Sequence, residues 1–162
     1  MKTLFLDLDG VIAVGYTKSK FHLDWSTKFM KFDDKAVQVL NEILEATGAV
    51  IVLSSDWKKH FTLEQIRGIF EYCGVDKGPI SFTPNSTYYE DGFLEGGRAY
   101  EIRQYVELHG LTNWVAVDDL NLLNTGHEDF FVDNFVYCKR YQTEGIKQSG
   151  LKGKIIKILN NG

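Results

Sequence analysis

Two carboxylates and a glycine follow the first apolar run of the chain. Residues 4–11 read Leu-Phe-Leu-Asp-Leu-Asp-Gly-Val, which places Asp7 and Asp9 at the end of a predicted buried strand. Such an apolar run is typical of a central parallel strand covered on both faces. Gly10 allows a sharp turn at that point and a close approach of the backbone to a bound group. Because open α/β sheets bind ligands at the carboxyl ends of their strands, these residues predict a ligand site.

Polar side chains follow two other apolar runs in the same way. Ser54 comes directly after Ala49–Leu53, and Asp118 with Asp119 comes after Trp114–Val117. In a parallel sheet these strand ends meet at one edge. Several ionised carboxylates in one crevice would repel one another unless a hard cation joined them. Mg²⁺ is the natural cation beside a substrate phosphate, so the pattern predicts a metal-dependent enzyme that acts on phosphate.

A protein cation is also expected at this edge. Arg98 and Lys58 are both candidates, because each lies in a segment that returns to the carboxyl ends of the strands. Either charge would help to balance the carboxylates and the phosphate.

Strand and helix signals alternate along the chain, which favours a mostly parallel sheet with helices on its faces. Predicted strands after the first lie at 49–53, 80–82, 114–117 and 135–138. Predicted helices are one capped by Asp33 and ended by Gly48, one with a Thr62–Gln65 capping box and ended by Gly74, one over 98–109 and one over about 151–159.

Length and composition limit the class of protein. The 162 residues fit one domain, and the formal charge of −4 disfavours a protein that coats nucleic acid or a membrane surface. Cys73 and Cys138 have no metal-ligand spacing and are expected to be reduced. With no secretory or membrane-spanning pattern, we expect a cytoplasmic location and no membrane partner. No pattern specifies an oligomeric state.

Two segments, at about 12–32 and 79–97, are longer than ordinary loops. The first, here called the flap, carries lysines at 18, 20, 28 and 31 interleaved with aromatic residues. One interpretation is contact with a nucleic-acid end through phosphate and base stacking. The other is a hairpin that packs its aromatic side chains on the sheet and leaves its lysines in solvent.

These motifs resemble those of the haloacid dehalogenase (HAD) superfamily of phosphohydrolases. Asp7-Leu8-Asp9-Gly10-Val11 resembles the first motif, Ser54 the second, and Asp118-Asp119 the two-aspartate form of the fourth. At the third motif, where the superfamily usually has lysine, Gly97-Arg98-Ala99 offers an arginine, as in the phosphatase domain of polynucleotide kinase-phosphatases. The runs 53–58 and 98–102 also resemble the small phosphatase domain of multidomain RNA-repair proteins.

The resemblance implies a role for each residue. Asp7 would be the nucleophile that forms an aspartyl-phosphate, and Asp9 the general acid and base. Mg²⁺ would be held by Asp7, the Asp9 carbonyl and Asp119, with Asp118 acting through water. The implied phosphate-binding residues are Leu8, Ser54, Ser55, Lys58 and Arg98.

The implied fold is a three-layer α/β sandwich with a mostly parallel sheet (HAD-like, Rossmannoid) and no large cap domain, because neither long segment is big enough for one. The implied function is a Mg²⁺-dependent phosphomonoesterase for RNA, DNA or nucleotide phosphate ends. A phosphomutase and a non-catalytic, receiver-like Mg²⁺-binding domain are the alternatives. The open site disfavours the first, and Asp9 disfavours a long-lived phosphoenzyme.

Overall fold

Five parallel strands form the centre of the molecule in this computed structural model. It describes residues 1–14, 31–86, 97–139 and 144–162 in full and residues 20–22 and 28–30 through their backbone. The described strands are β1 (Thr3–Leu6), β2 (Lys20–His22), β3 (Lys28–Met30), β4 (Val50–Leu53), β5 (Ser81–Phe82), β6 (Trp114–Asp118) and β7 (Phe135–Tyr137). The central sheet contains β1 and β4 to β7, and β2 pairs with β3 in a separate sheet. The helices are α1 (Asp34–Thr47), α2 (Leu63–Tyr72), α3 (Arg98–His109), α4 (Glu128–Phe131) and α5 (Leu151–Asn161).

The sheet has the order β5-β4-β1-β6-β7, and all four neighbouring pairs are parallel. Alternate residues of β1 face opposite sides, as the period of a strand requires. Leu4 and Leu6 pack in a core with α1, α2 and α5, whereas Phe5 packs in a second core with α3 and α4. The predicted α/β fold with helices on both faces of a parallel sheet is therefore confirmed.

Local sequence signals set the ends of the helices. The Asp33 side chain accepts a hydrogen bond from the Ala36 amide at the start of α1, and Gly48 ends that helix in the left-handed conformation. Thr62 and Gln65 form the predicted capping box at the start of α2. The sequence did not predict α4, which spans only four residues.

The flap begins and ends at neighbouring points of the structure. The Asp33 amide donates to the Ile12 carbonyl at 2.8 Å, which closes the base of the segment. Within it, β2 and β3 pair antiparallel, with position 21 opposite position 29. The side chains of the predicted basic and aromatic surface lie outside the described residues, apart from Lys31 and Phe32. No helix in the fully described part of the chain is long and apolar enough to cross a membrane.

Candidate active site

The register of the sheet brings three of the predicted site residues into one row. Leu6 of β1 pairs with Leu53 of β4 and with Val117 of β6. The residues that follow these three in the chain are Asp7, Ser54 and Asp118, and all of them are buried. Backbone hydrogen bonds continue the ladder at this edge, from the Ser54 amide to Leu6 and from the Asp7 amide to Val117.

Arg98 joins the carboxylates of two different strands. Its Nη1 atom lies 2.9 Å from Asp7 Oδ1 and 2.7 Å from Asp118 Oδ2. Arg98 is the first residue of α3, and only 9% of its side chain is exposed, so the guanidinium acts in a largely water-free setting. The more exposed Asp56 lies 3.8 Å from Nη2.

Electrostatics at this site are dominated by burial. Desolvation, followed by repulsion from Asp118, raises the pKa of Asp7 to about 7, although Arg98 acts to lower it. Burial likewise raises the pKa of Asp118, against the opposing effect of Arg98. One arginine therefore does not fully compensate the buried carboxylates.

The same carboxylates are suited to a divalent cation. Asp7, Asp118 and Asp119 each offer an oxygen, and these oxygens lie within 4.8 Å of one another. A group of hard oxygen ligands with excess negative charge is the type of site that Mg²⁺ prefers. The residues present therefore fit the predicted metal, with Asp7, Asp118 and Asp119 as the side chains that would hold it.

A tight turn follows Asp7 and holds the rest of the first motif. The Leu8 carbonyl accepts hydrogen bonds from the amides of Val11, Ile12 and Ala13. This turn leaves Asp9 exposed beside the buried Asp7. The Asp9 side chain does not belong to the cluster of metal-suited side chains, and its Oδ2 atom accepts a hydrogen bond from the Trp57 indole at 2.8 Å.

The two serines after β4 are both buried. The Ser54 hydroxyl has no hydrogen-bond partner among the described residues, which is uncommon for a buried polar group. The Ser55 hydroxyl likewise has no hydrogen-bond partner among the described residues, but it lies near Asp7 and acts against the rise in the pKa of that carboxyl. Both hydroxyls are therefore available to a bound ligand.

Lys58 makes its hydrogen bonds with residues other than Asp7 and Asp118. Its ammonium group contacts Glu101 Oε2 at 2.6 Å, Thr83 Oγ1 at 2.7 Å and the Pro84 carbonyl at 2.9 Å. These three contacts match the three N–H donors of a lysine. Arg98, rather than Lys58, therefore contacts the carboxylates of the first and fourth motifs. Phosphate binding by Lys58 stays a prediction.

Sequence reasoning did not assign a role to Trp57 or to Glu101. Trp57 lies in the 3-10 turn Asp56–Lys59, directly after the predicted phosphate-binding serines. The place of Trp57 in the run 53–58, which resembles RNA-repair phosphatase domains, was the signal that could have pointed to a role. Glu101 sits one turn into α3 and is almost fully buried, and its partner Lys58 is 43 residues away, so spacing alone could not pair them.

Comparison with known families agrees with the motifs and the fold. A search of curated proteins and a search of solved structures each found no match to this chain. A family model described as the HAD domain in Swiss Army Knife RNA repair proteins matches residues 3–148, which include all the strands and the whole acidic site. This chain therefore belongs to the family of HAD domains found in Swiss Army Knife RNA repair proteins.

Proposed function

We propose that this chain hydrolyses phosphate monoesters at nucleic-acid ends with Mg²⁺ as its cofactor. The observation that carries the proposal is the row of Asp7, Ser54 and Asp118 at one sheet edge, with Arg98 bound to both carboxylates. Family membership supports a phosphohydrolase in general and a phosphorylated nucleic acid as its substrate.

Asp7 is the proposed nucleophile. One of its carboxylate oxygens forms a bond to phosphorus as the bond from phosphorus to the ester oxygen breaks. Asp9 gives a proton to the departing oxygen, which leaves as a free hydroxyl. Its exposure beside the buried Asp7 suits a group that must reach the leaving part of a large substrate.

Hydrolysis of the aspartyl-phosphate completes the cycle. Asp9, now ionised, takes a proton from a water molecule as the water oxygen bonds to phosphorus and the bond to Asp7 breaks. Inorganic phosphate leaves, and the Asp7 carboxylate and the Asp9 acid are restored.

The phosphoryl group is held by neighbouring donors. Ser54, which has a buried and unpartnered hydroxyl, donates a hydrogen bond to a phosphoryl oxygen, and Arg98 neutralises charge beside it. The Ser55 side chain and the Leu8 backbone also lie beside Asp7. When bound, Mg²⁺ supplies further charge neutralisation between the carboxylates and the phosphate.

Phosphate release from a panel of substrates tests the proposal. The panel contains an RNA oligonucleotide with a 3′-phosphate, the same RNA with a 5′-phosphate, matching DNA strands and mononucleotides, each with Mg²⁺ or with chelator. We expect Mg²⁺-dependent release from at least one oligonucleotide end and none by the Asp7→Asn variant. Release from mononucleotides alone would contradict the nucleic-acid substrate, and equal release in chelator would contradict the metal requirement.

A further inference from the structure

The Asp9 carboxylate is held by an aromatic side chain. The indole N–H of Trp57 donates to Asp9 Oδ2 at 2.8 Å, although the two residues are 48 positions apart in the chain. Trp57 is only 9% exposed, whereas Asp9 is exposed. A buried and fixed donor therefore orients a carboxylate that is otherwise open to solvent.

Packing fixes the Trp57 ring in place. The ring packs against Phe32, at a centroid distance of 6.0 Å, and against Phe61, at 5.7 Å. The Trp57 backbone carbonyl accepts hydrogen bonds from the amides of His60 and Phe61, which close the 3-10 turn. The adjacent Lys58 is anchored to Glu101. An indole held in this way loses little further entropy when it binds a carboxylate.

We propose that Trp57 is a positioning residue for the proton transfer carried out by Asp9, an inference that rests on the proposed function. An indole N–H can only donate, so it fixes Oδ2 as a hydrogen-bond acceptor. The other oxygen, Oδ1, then exchanges the proton with the leaving group. Because proton transfer requires hydrogen-bond reach, a freely rotating Asp9 would be productive for less of the time.

The dependence on leaving group separates this role from a purely structural one. An alkyl ester, such as an oligonucleotide phosphate end, needs a proton on its departing oxygen, whereas 4-nitrophenyl phosphate releases a stable anion. The quantity to compare is kcat/KM, since it reports the steps up to the first departure of the leaving group. Trp57→Phe keeps an aromatic ring beside the same neighbours and removes the donor together with the five-membered ring, so a control with the same loss of volume is needed.

We expect Trp57→Phe to lower kcat/KM about 10-fold for the alkyl ester and less than about 2-fold for the aryl ester, in the same sense as Asp9→Asn. Trp114→Phe is the matched control, because Trp114 is also buried but packs on Phe5 and Phe130 in the opposite core. It should change both esters equally or not at all. Equal losses on both esters by Trp57→Phe, or no loss on either, would overturn the assignment.

The contact itself can be observed without turnover. In ¹⁵N-indole NMR spectra, the signal that Trp57→Phe removes is that of Trp57, and it should shift in Asp9→Asn while the Trp114 signal stays in place. An unmoved Trp57 signal overturns the contact. If the wild-type protein hydrolyses neither ester but the signal moves, the proposed function has failed and the contact has not. That result would overturn the positioning role of Trp57 in proton transfer while leaving its hydrogen bond to Asp9 in place.

Discussion

The carboxylate of Asp119 lies directly against the backbone of Gly10. A Cβ atom at position 10 would stand 2.5 Å from Asp119 Oδ2 and 2.8 Å from its Cγ, and Gly10 has a φ of 76°. The turn after Asp7 and the end of β6 therefore touch through a residue without a side chain. This contact lets Asp119 approach Asp7 and Asp118 closely enough to share a cation with them.

Substitution of Gly10 by alanine should displace Asp119 and lower activity by about 100-fold, because a shift on the order of 1 Å in a reacting group has an effect of that size. Gly48→Ala is the matched control, since Gly48 also has a positive φ of 66° but an added Cβ would meet no atom within 4 Å. Gly48→Ala should lose about 1–2 kcal/mol of unfolding free energy in urea because of its positive φ, and Gly10→Ala should lose at least as much, because its added Cβ also collides with Asp119. Full activity in Gly10→Ala would contradict the close contact.

Activity should require both the positive charge of Arg98 and the shape of its guanidinium group. Arg98→Gln leaves Asp7 and Asp118 without their cation, so we expect kcat to fall by about 10²–10³-fold. Arg98→Lys keeps the charge but cannot reproduce the same geometry, so its loss should be smaller. Steady-state kinetics of the two variants provide the measurement. Equal activity in Arg98→Gln and wild type would remove Arg98 from the site.

The buried pair of Lys58 and Glu101 should stabilise the fold and hold the start of α3 in place. Glu101 also accepts hydrogen bonds from the amide and hydroxyl of Ser86, and the Gly97 amide donates to Ser86 Oγ, so the pair fixes the residue that precedes Arg98. Lys58→Met should cost about 3 kcal/mol of unfolding free energy, because it leaves Glu101 buried and without its cation.

A double-mutant cycle with Glu101→Leu checks this prediction. The double variant should lose less stability than the two single losses together, because no unpaired buried charge remains. Additive losses in urea unfolding would indicate that the pair is not coupled. A rise in KM for Lys58→Met that Glu101→Gln does not share would instead support phosphate binding by Lys58.

Asp33, at the base of the flap, should make the free energy of unfolding depend on pH. Partial burial acts to raise the pKa of Asp33, but the hydrogen bond from Lys147 and the amide of Ala36 hold it below its usual value. Its stabilising effect is therefore present above the unfolded-state pKa of about 4 and is lost as the pH falls through the lower folded-state pKa. Asp33→Asn keeps the helix cap but removes the charge.

Urea unfolding of wild type and Asp33→Asn across pH provides the test. We expect a difference of about 0.5–1 kcal/mol at pH 7 that disappears in acid. Lys147→Met should show the same trend, because the Lys147 ammonium lies 3.0 Å from Asp33 Oδ1. A difference that persists at all pH values would mean that the charge of Asp33 is not its source.

Local signals predicted much of the fold. The apolar run before Asp7, the cap at Asp33, the capping box at Thr62 and the start of α3 at Arg98 all match the structure, because each depends on neighbouring residues. The first strand ends at Leu6, directly before Asp7, and the turn that follows exposes Asp9.

Contacts between distant segments were harder to predict from the sequence. Strand-end reasoning placed Asp7, Ser54 and Asp118 together because a parallel sheet aligns such ends. Nothing in a sequence pattern states that Lys58 points to Glu101 instead of to the acidic cluster, or that an indole holds Asp9. Such choices depend on which buried group remains to be paired after the chain has packed.

The formation of a phosphoenzyme on Asp7 tests the proposed mechanism most directly. The protein is mixed with Mg²⁺ and the preferred phosphate ester, quenched in acid within milliseconds to seconds, and mapped by mass spectrometry. We predict a phosphate on the peptide that contains Asp7, absent from Asp7→Asn. With 4-nitrophenyl phosphate, whose leaving group needs no proton, this phosphate should accumulate in Asp9→Asn because only its hydrolysis slows. Turnover with no covalent phosphate on Asp7, or a phosphoenzyme in wild type that persists for many minutes, would contradict the proposed mechanism.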